Sequence, residues 1–222
     1  MKPDTEEKRR KEAIELAMSG RYQKYQYYEG TFTDKFVRAV PDRVVVDCGM
    51  CYGYYTALAL WAGCHSVYGF EADDERHGLH LRKVFGDRQD VTIRFCAVDG
   101  HVGKTELVAK PGTLRSWSAT EHISNLRGNK KVAPVKVSVN CDTIDNSIPG
   151  PVGVIKCDTE GGEATIFHGA KRILNDYHPV IFLELHQIGK AAKLELQNLL
   201  RSFDYPAEFM KATSNRHILE AK

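Results

Sequence analysis

Apolar positions fall into short, nearly continuous runs, several of which close on an acidic residue. Val44-Val45-Val46 meets Asp47, Ser66–Phe70 meets Glu71, Val91–Val98 meets Asp99, Val152–Cys157 meets Asp158, and Pro179–Leu185 carries Glu184 and leads to His186. Runs with so little polar alternation predict strands covered on both faces, the condition of a parallel sheet. Between them the apolar spacing lengthens to a helical repeat over Tyr54–Ala62, Asp73–Phe85, the stretch from Glu163 to Leu174, and Lys190–Phe203. Alternating strands and helices predict an α/β fold, and two further short strands are expected after Phe203.

The alternation breaks between Gly100 and Pro151. Thr105–Lys110 and Val135–Asn140 read as strands around a polar stretch holding Gly112, Ser116, Trp117, Ser118 and His122. Two readings fit this insertion: a carrier of substrate specificity near the open end of the sheet, or a plain hairpin with its loop. Ahead of the first strand, Ala13, Ile14, Leu16 and Ala17 give residues 4–28 an amphipathic helical pattern, and Tyr22, Tyr25, Tyr27 and Tyr28 follow. The tyrosines suit a lid over a cleft or the packing of the extension itself. At 222 residues the chain suits one well-buried domain. It divides into a helical extension or lid over 1–40 and a main domain over 41–222.

Asp47-Cys48-Gly49-Met50-Cys51-Tyr52-Gly53 spells D-x-G-x-x-x-G between a strand and a helix. The crevice beyond such a strand's carboxyl end is where doubly wound sheets hold ligands. Gly49 lacks a Cβ, so the backbone turns sharply and a ligand approaches closely, while the helix start offers N–H donors. The loop matches neither G-x-G-x-x-G nor G-x-x-x-x-G-K-[ST], so it is not a phosphate cradle. An acid directly before it repels phosphate and attracts an ammonium group. Glu71 stands 24 positions after Asp47, at the tip of the next strand, where a carboxylate accepts ribose hydroxyls. S-adenosylmethionine, with an ammonium group, a ribose and no phosphate, is the cofactor these features predict. Its candidate contacts are Asp47, Cys48, Gly49, Met50 and Gly53 in the loop, Glu71 and Ala72 at the second strand's tip, and Cys96 and Ala97 as an apolar wall for the adenine ring.

A net charge of +2 is too mild to mark a nucleic-acid binder. Lys8-Arg9-Arg10-Lys11 is flanked by Glu6, Glu7 and Glu12, as on a solvated helix with i,i+4 pairs. No run approaches the roughly 18 apolar residues of a membrane span, and the polar N-terminus lacks a signal peptide's apolar core. A soluble, cytoplasmic protein without a membrane partner is therefore expected. The six cysteines lie mostly within apolar patterns, as buried free thiols do. Cys48 and Cys51 form C-x-x-C, but inside the glycine loop and without a second pair, so neither redox nor metal chemistry is expected of them.

Further features converge: Asp47 to Thr56, Phe70-Glu71 with Asp73, Thr143-Ile144-Asp145, the string from Ile155 to Glu163, His168-Gly169-Ala170, and the strand bearing Glu184. In these residues the chain, from about Val44 to His186, resembles the FkbM family of S-adenosylmethionine-dependent methyltransferases. The Lys156-x-Asp158-x-Glu160-Gly161-x-Glu163 string is the most discriminating part. The resemblance implies a Rossmann-like fold with a mostly parallel seven-stranded sheet flanked by helices. It also implies O-methylation of a hydroxyl on a sugar or small metabolite. The chain departs from the family at Met50 and Cys51, where small or amide residues are frequent, and at Ala72, where proline is.

Methyl transfer from a sulfonium requires alignment of donor and acceptor and a group to take the acceptor's proton. Asp158, Glu160, Glu184 and His186 end two strands that such a fold makes neighbours, and they are the candidate catalytic residues. His186 has the reference pKa nearest neutrality and is the first candidate base, with Asp158 next. Alternation along the strands makes an ion pair between Lys156 and Glu184 feasible. Asp158, Glu184 and His186 also offer O and N ligands to a divalent cation, but without a clustered motif no metal is expected. The expected partner is a small hydroxyl-bearing acceptor, and the oligomeric state is open. Two other functions stand beside this one. One is an RNA ribose methyltransferase, with Lys130, Lys131 and the N-terminal basic cluster holding phosphates, and the other is a non-catalytic cofactor-binding module acting through partners.

Overall fold

The computed structural model describes residues 32–109, 117–118, 135–186, 190–206, 210–211 and 216–221. The described chain enters through a helix over 32–39 (α1). It continues through β1 (Val44–Cys48), α2 (Tyr54–Trp61), β2 (Ser66–Phe70), a π-helical turn (Asp74–Gly78), α3 (Leu79–Phe85) and β3 (Val91–Arg94). A smaller group follows: β4 (Ala97–Val98), β5 (Gly103–Ala109), β6 (Trp117–Ser118) and β7 (Val135–Asp142). The rest is α4 (Ile144–Ser147), β8 (Val154–Cys157), α5 (Glu163–Ile166), a 3-10 turn (Phe167–Gly169), α6 (Lys171–Tyr177), β9 (Val180–Glu184), α7 (Lys190–Arg201), β10 (Met210–Lys211) and β11 (Arg216–Leu219).

Seven strands form the main sheet in the order β10-β11-β9-β8-β1-β2-β3. The strands β3, β2, β1, β8 and β9 are parallel, β11 pairs antiparallel with β9, and β10 pairs antiparallel with β11. The chain winds outward from β1 through β2 and β3, then returns to β1's other side as β8. The β1/β8 junction is thus the switch point whose crevice holds ligands in such sheets. Residues alternate faces along each strand. Val45, Val67, Val154 and Phe182 pack toward α1, α2 and α3, whereas Val46, Cys48, Ile155, Cys157 and Leu183 pack toward α4 to α7. Both faces are covered, which is why the strands read as continuous apolar runs.

Three expectations shift in detail. Val91–Val98 is two strands: β3 ends where Arg94 pairs with Phe70, and Ala97–Val98 pair with Cys141–Asp142 in a second sheet of order β4-β7-β5-β6. An apolar run does not reveal where a chain changes sheets. The Asp73–Phe85 helix opens with the π turn, capped by Asp73 Oδ1 accepting the Arg76 N–H at 3.0 Å. The helix from Glu163 breaks at Phe167–Gly169, where a Cβ on Gly169 would overlap the Asp99 carbonyl oxygen.

In α1, Phe32 and Phe36 set their rings edge-on to Tyr55 and Phe182 at 5.0–6.2 Å. Phe32, Phe36 and Val40 are buried, so 32–40 packs as part of the domain core. Residues 1–31, with the four tyrosines and the basic cluster, lie outside the described residues. So do 110–116 and 119–134, which include most of the polar insertion and both Lys130 and Lys131. All six cysteines are free thiols. Among the described residues no helix is long and apolar enough to cross a membrane.

Candidate active site

The loop after β1 is fastened to both neighbouring strands. The Gly49 and Met50 N–H groups both donate to the Phe70 carbonyl at 3.0 Å, and the Asp158 N–H donates to the Cys48 carbonyl at 3.1 Å. Gly49 has φ +80°, and a Cβ there would overlap the Asp158 carbonyl oxygen. Only glycine allows both that conformation and that approach. Gly53, also at φ +80°, opens α2. Met50 is buried with its sulfur against Gly69.

Asp47 is fully buried. Its Oδ2 accepts the Thr56 hydroxyl at 2.8 Å, and its Oδ1 lies 3.3 Å from Lys156 Nζ. Lys156 in turn donates to the Gly49 carbonyl at 2.8 Å and the Cys48 carbonyl at 3.4 Å. It lies 4.0 Å from Asp158 Oδ2 and 5.1 Å from the Tyr55 ring centroid. Lys156 therefore pairs with Asp47 and Asp158, and not with Glu184, the partner that strand alternation makes feasible. The register sets Asp47 directly across from Lys156 on adjacent strands, whereas Glu184 lies beyond the point where β8 ends. Burial by itself would lower the Lys156 pKa, but the Asp47 and Asp158 charges reverse this and hold it above an ordinary lysine. Asp47 thus acts on the loop through the cation that grips its carbonyls.

Glu71 braces the same loop from β2. Its Oε2 accepts the Cys51 N–H at 2.7 Å; its Oε1 accepts the Asp73 N–H at 2.8 Å and lies 3.3 Å from His77 Nδ1. Two of the carboxylate's roughly four acceptor positions take backbone N–H groups, and the His77 ring lies beside them. Its remaining acceptor capacity suits a ribose hydroxyl. Burial would lower the His77 pKa, but bonds to Cys51 and Glu71 and the Glu71 charge push it up to about 10. No spacing along the chain ties His77 or Cys51 to Glu71; the available signal is a histidine four residues after Asp73, which caps the π turn. Ala72 is half-buried. The Arg94 carbonyl accepts the Glu71 N–H at 3.0 Å, which carries the segment with half-buried Cys96 past Glu71. Ala97 is buried in β4. Carboxylates and a tight backbone turn are a donor set that fits a sulfonium cofactor bearing an ammonium group and a ribose diol.

The four candidate catalytic residues meet at the ends of β8 and β9. His186 Nε2 lies 3.6 Å from Asp158 Oδ1, 3.6 Å from Glu160 Oε2 and 4.0 Å from Glu184 Oε1. Its Nδ1 is 2.8 Å from Oε1 of Glu163, which the sequence marks only as the end of the Lys156–Glu163 motif. Glu163 is fully buried at the start of α5, and its Oε1 also accepts the Gly161 N–H at 3.1 Å. Burial would lower the His186 pKa. The Glu163 bond and the charges of Asp158, Glu163 and Glu160 outweigh it and push the imidazole up to about 9. The glycine loop and the cluster around His186 share one wall, since Asp158 belongs to both.

Residues 47–207 match the model of the methyltransferase FkbM domain. Among solved structures, the chain is similar to an FkbM methyltransferase from Methylobacillus flagellatus KT, at 18% identity and TM-score 0.52, over 80% of this chain and 43% of that one. The chain thus spans less than half the length of the Methylobacillus protein. It is similar too to a putative rRNA-methylase from Clostridium thermocellum, at 14% identity and TM-score 0.52, over 87% of this chain and 95% of that one. At these identities the likeness is one of fold. No curated protein sequence matches the chain. The domain match covers the glycine loop, Glu71 and the whole Asp158–His186 cluster: the chain belongs to the FkbM family of methyltransferases, and S-adenosyl-L-methionine is its cofactor.

Proposed function

We propose that the chain transfers a methyl group from S-adenosylmethionine to a hydroxyl of a sugar or other small metabolite. The position of Asp158 supports this most. Its backbone is tied to Cys48 and abuts Gly49, while its carboxylate lies 3.6 Å from His186. Bound at the loop, the cofactor supplies an electrophilic methyl carbon on a sulfonium. With the imidazole held protonated by its acidic surroundings, the Asp158 carboxylate 3.6 Å from Nε2 takes the acceptor's proton and His186 supports it. Glu163 holds Nδ1 and so aims Nε2 at Asp158 and Glu160. Free thiols accord with a reducing, cytoplasmic setting.

Four carboxylates around His186 repel a long polyanion, which favours a small acceptor over RNA. A non-catalytic module would have no use for the cluster. The deciding experiment offers the protein labelled S-adenosylmethionine with a panel of sugars, small hydroxy metabolites and RNA, and reads methyl gain by mass. Transfer to RNA alone, weakening steeply with salt, would replace this reading. Tight cofactor binding without any transfer would favour the module.

Glu71→Ala is expected to weaken S-adenosylmethionine binding by on the order of 1.5–3 kcal/mol, the worth of a hydrogen bond to a charged acceptor. It also frees the Cys51 and Asp73 N–H groups, so the thermal midpoint should fall. Calorimetry showing unchanged affinity would limit Glu71 to bracing the loop.

A further inference from the structure

We infer that Asp158, Glu160 and His186 form a binding site for a divalent cation of the Mg2+ or Mn2+ type. One ligand atom from each lies within 4.8 Å of the others. The two carboxylate oxygens are each 3.6 Å from Nε2. Octahedral bonds of about 2.1 Å put neighbouring donors roughly 3.0 Å apart, so the carboxylates draw in toward Nε2 when the ion enters. Glu184 Oε1, at 4.0 Å from Nε2, is in reach as a further ligand, directly or through water.

The surroundings are built for it. Metal-ligating histidines almost always bond their second nitrogen to a carboxylate or carbonyl, which fixes the ring and its tautomer. Glu163 does this at 2.8 Å on Nδ1 and leaves Nε2 for the ion. Glu163 is fully buried, which fixes the ring from that side. Four carboxylates around a single imidazole also repel one another, and a divalent charge relieves that. With carboxylates in the majority and no thiolate in the set, the chemistry suits Mg2+ or Mn2+. Such an ion would hold the acceptor's hydroxyl oxygen beside the cofactor loop, with Nε2 bound to the ion and the proton taken by the Asp158 or Glu160 carboxylate, a role that rests on the methyltransferase reading. The donors come from two strand ends and a loop, so no sequence spacing announces them.

Mn2+ titrated into chelator-treated, full-length protein, with free ion read by electron paramagnetic resonance, tests the site. One saturable ion per chain is expected, displaced by Mg2+. Binding should weaken at least about ten-fold in Asp158→Asn, in His186→Gln and, through the second nitrogen, in Glu163→Gln. Glu160→Gln, at an exposed position, serves where a buried change impairs folding. Absence of saturable binding at millimolar Mn2+, or equal binding by Asp158→Asn and Glu160→Gln, overturns the inference. S-adenosylmethionine calorimetry on the same samples separates the two readings. Mn2+ bound without cofactor affinity removes the methyltransferase reading alone, and cofactor bound without Mn2+ removes the cation site alone.

Discussion

Asp47→Asn is expected to destabilise the protein by about 3–5 kcal/mol, the usual result of removing one partner from a buried ion pair. Lys156 is buried, with Asp47 Oδ1 at 3.3 Å and Asp158 Oδ2 at 4.0 Å. Asparagine keeps an acceptor for Thr56 but leaves the ammonium with only the more distant carboxylate. For a chain of this size the thermal midpoint should drop by about 6–20 °C. The double variant Asp47→Leu with Lys156→Met should recover much of that loss, because apolar replacements avoid the desolvation of both ions. It should not recover cofactor affinity, since Lys156 Nζ no longer holds the Gly49 and Cys48 carbonyls. Denaturant and thermal unfolding together with calorimetry decide this. An Asp47→Asn protein as stable as its parent would show that Asp158 alone suffices for Lys156.

His186→Ala is expected to reduce turnover by roughly 10²–10⁴-fold, the usual contribution of acid–base catalysis, because the Asp158 carboxylate loses the imidazole 3.6 Å away. Cofactor affinity should stay within a few-fold, because the loop is held by Phe70, Glu71 and Lys156 and not by His186. Truncation also strips the Nδ1 partner from buried Glu163, so stability must be measured alongside. His186→Gln, which keeps an amide donor for Glu163, should restore stability but not turnover. Single-turnover methylation at the parent rate in His186→Ala would remove the residue from the chemistry and leave Asp158 or Glu160 to accept the proton without it.

β1, β2, β8 and β9 are legible in the sequence because each is covered on both faces, which leaves nearly continuous runs of Val, Ile, Phe and Leu. The D-x-G-x-x-x-G turn and the acids at the strand tips are legible for a similar reason: they are local, and a glycine at φ +80° or an acid after an apolar run needs no knowledge of distant residues. Partnership is another matter. Both the expected Lys156–Glu184 pair and the observed Lys156–Asp47 pair satisfy strand alternation, and only the register of β1 against β8 distinguishes them. Glu163 and His186 are 23 residues apart and meet through a strand and a helix start, so no spacing rule links them. The split of Val91–Val98 between two sheets follows from hydrogen bonds to β2 and β7, not from its own residues. The sequence by itself determined which segments are strands and where their acidic tips and glycine turn lie, because burial and backbone conformation act residue by residue. The tertiary structure alone decided which charges face one another, because that depends on register and strand order, to which each segment's composition is blind.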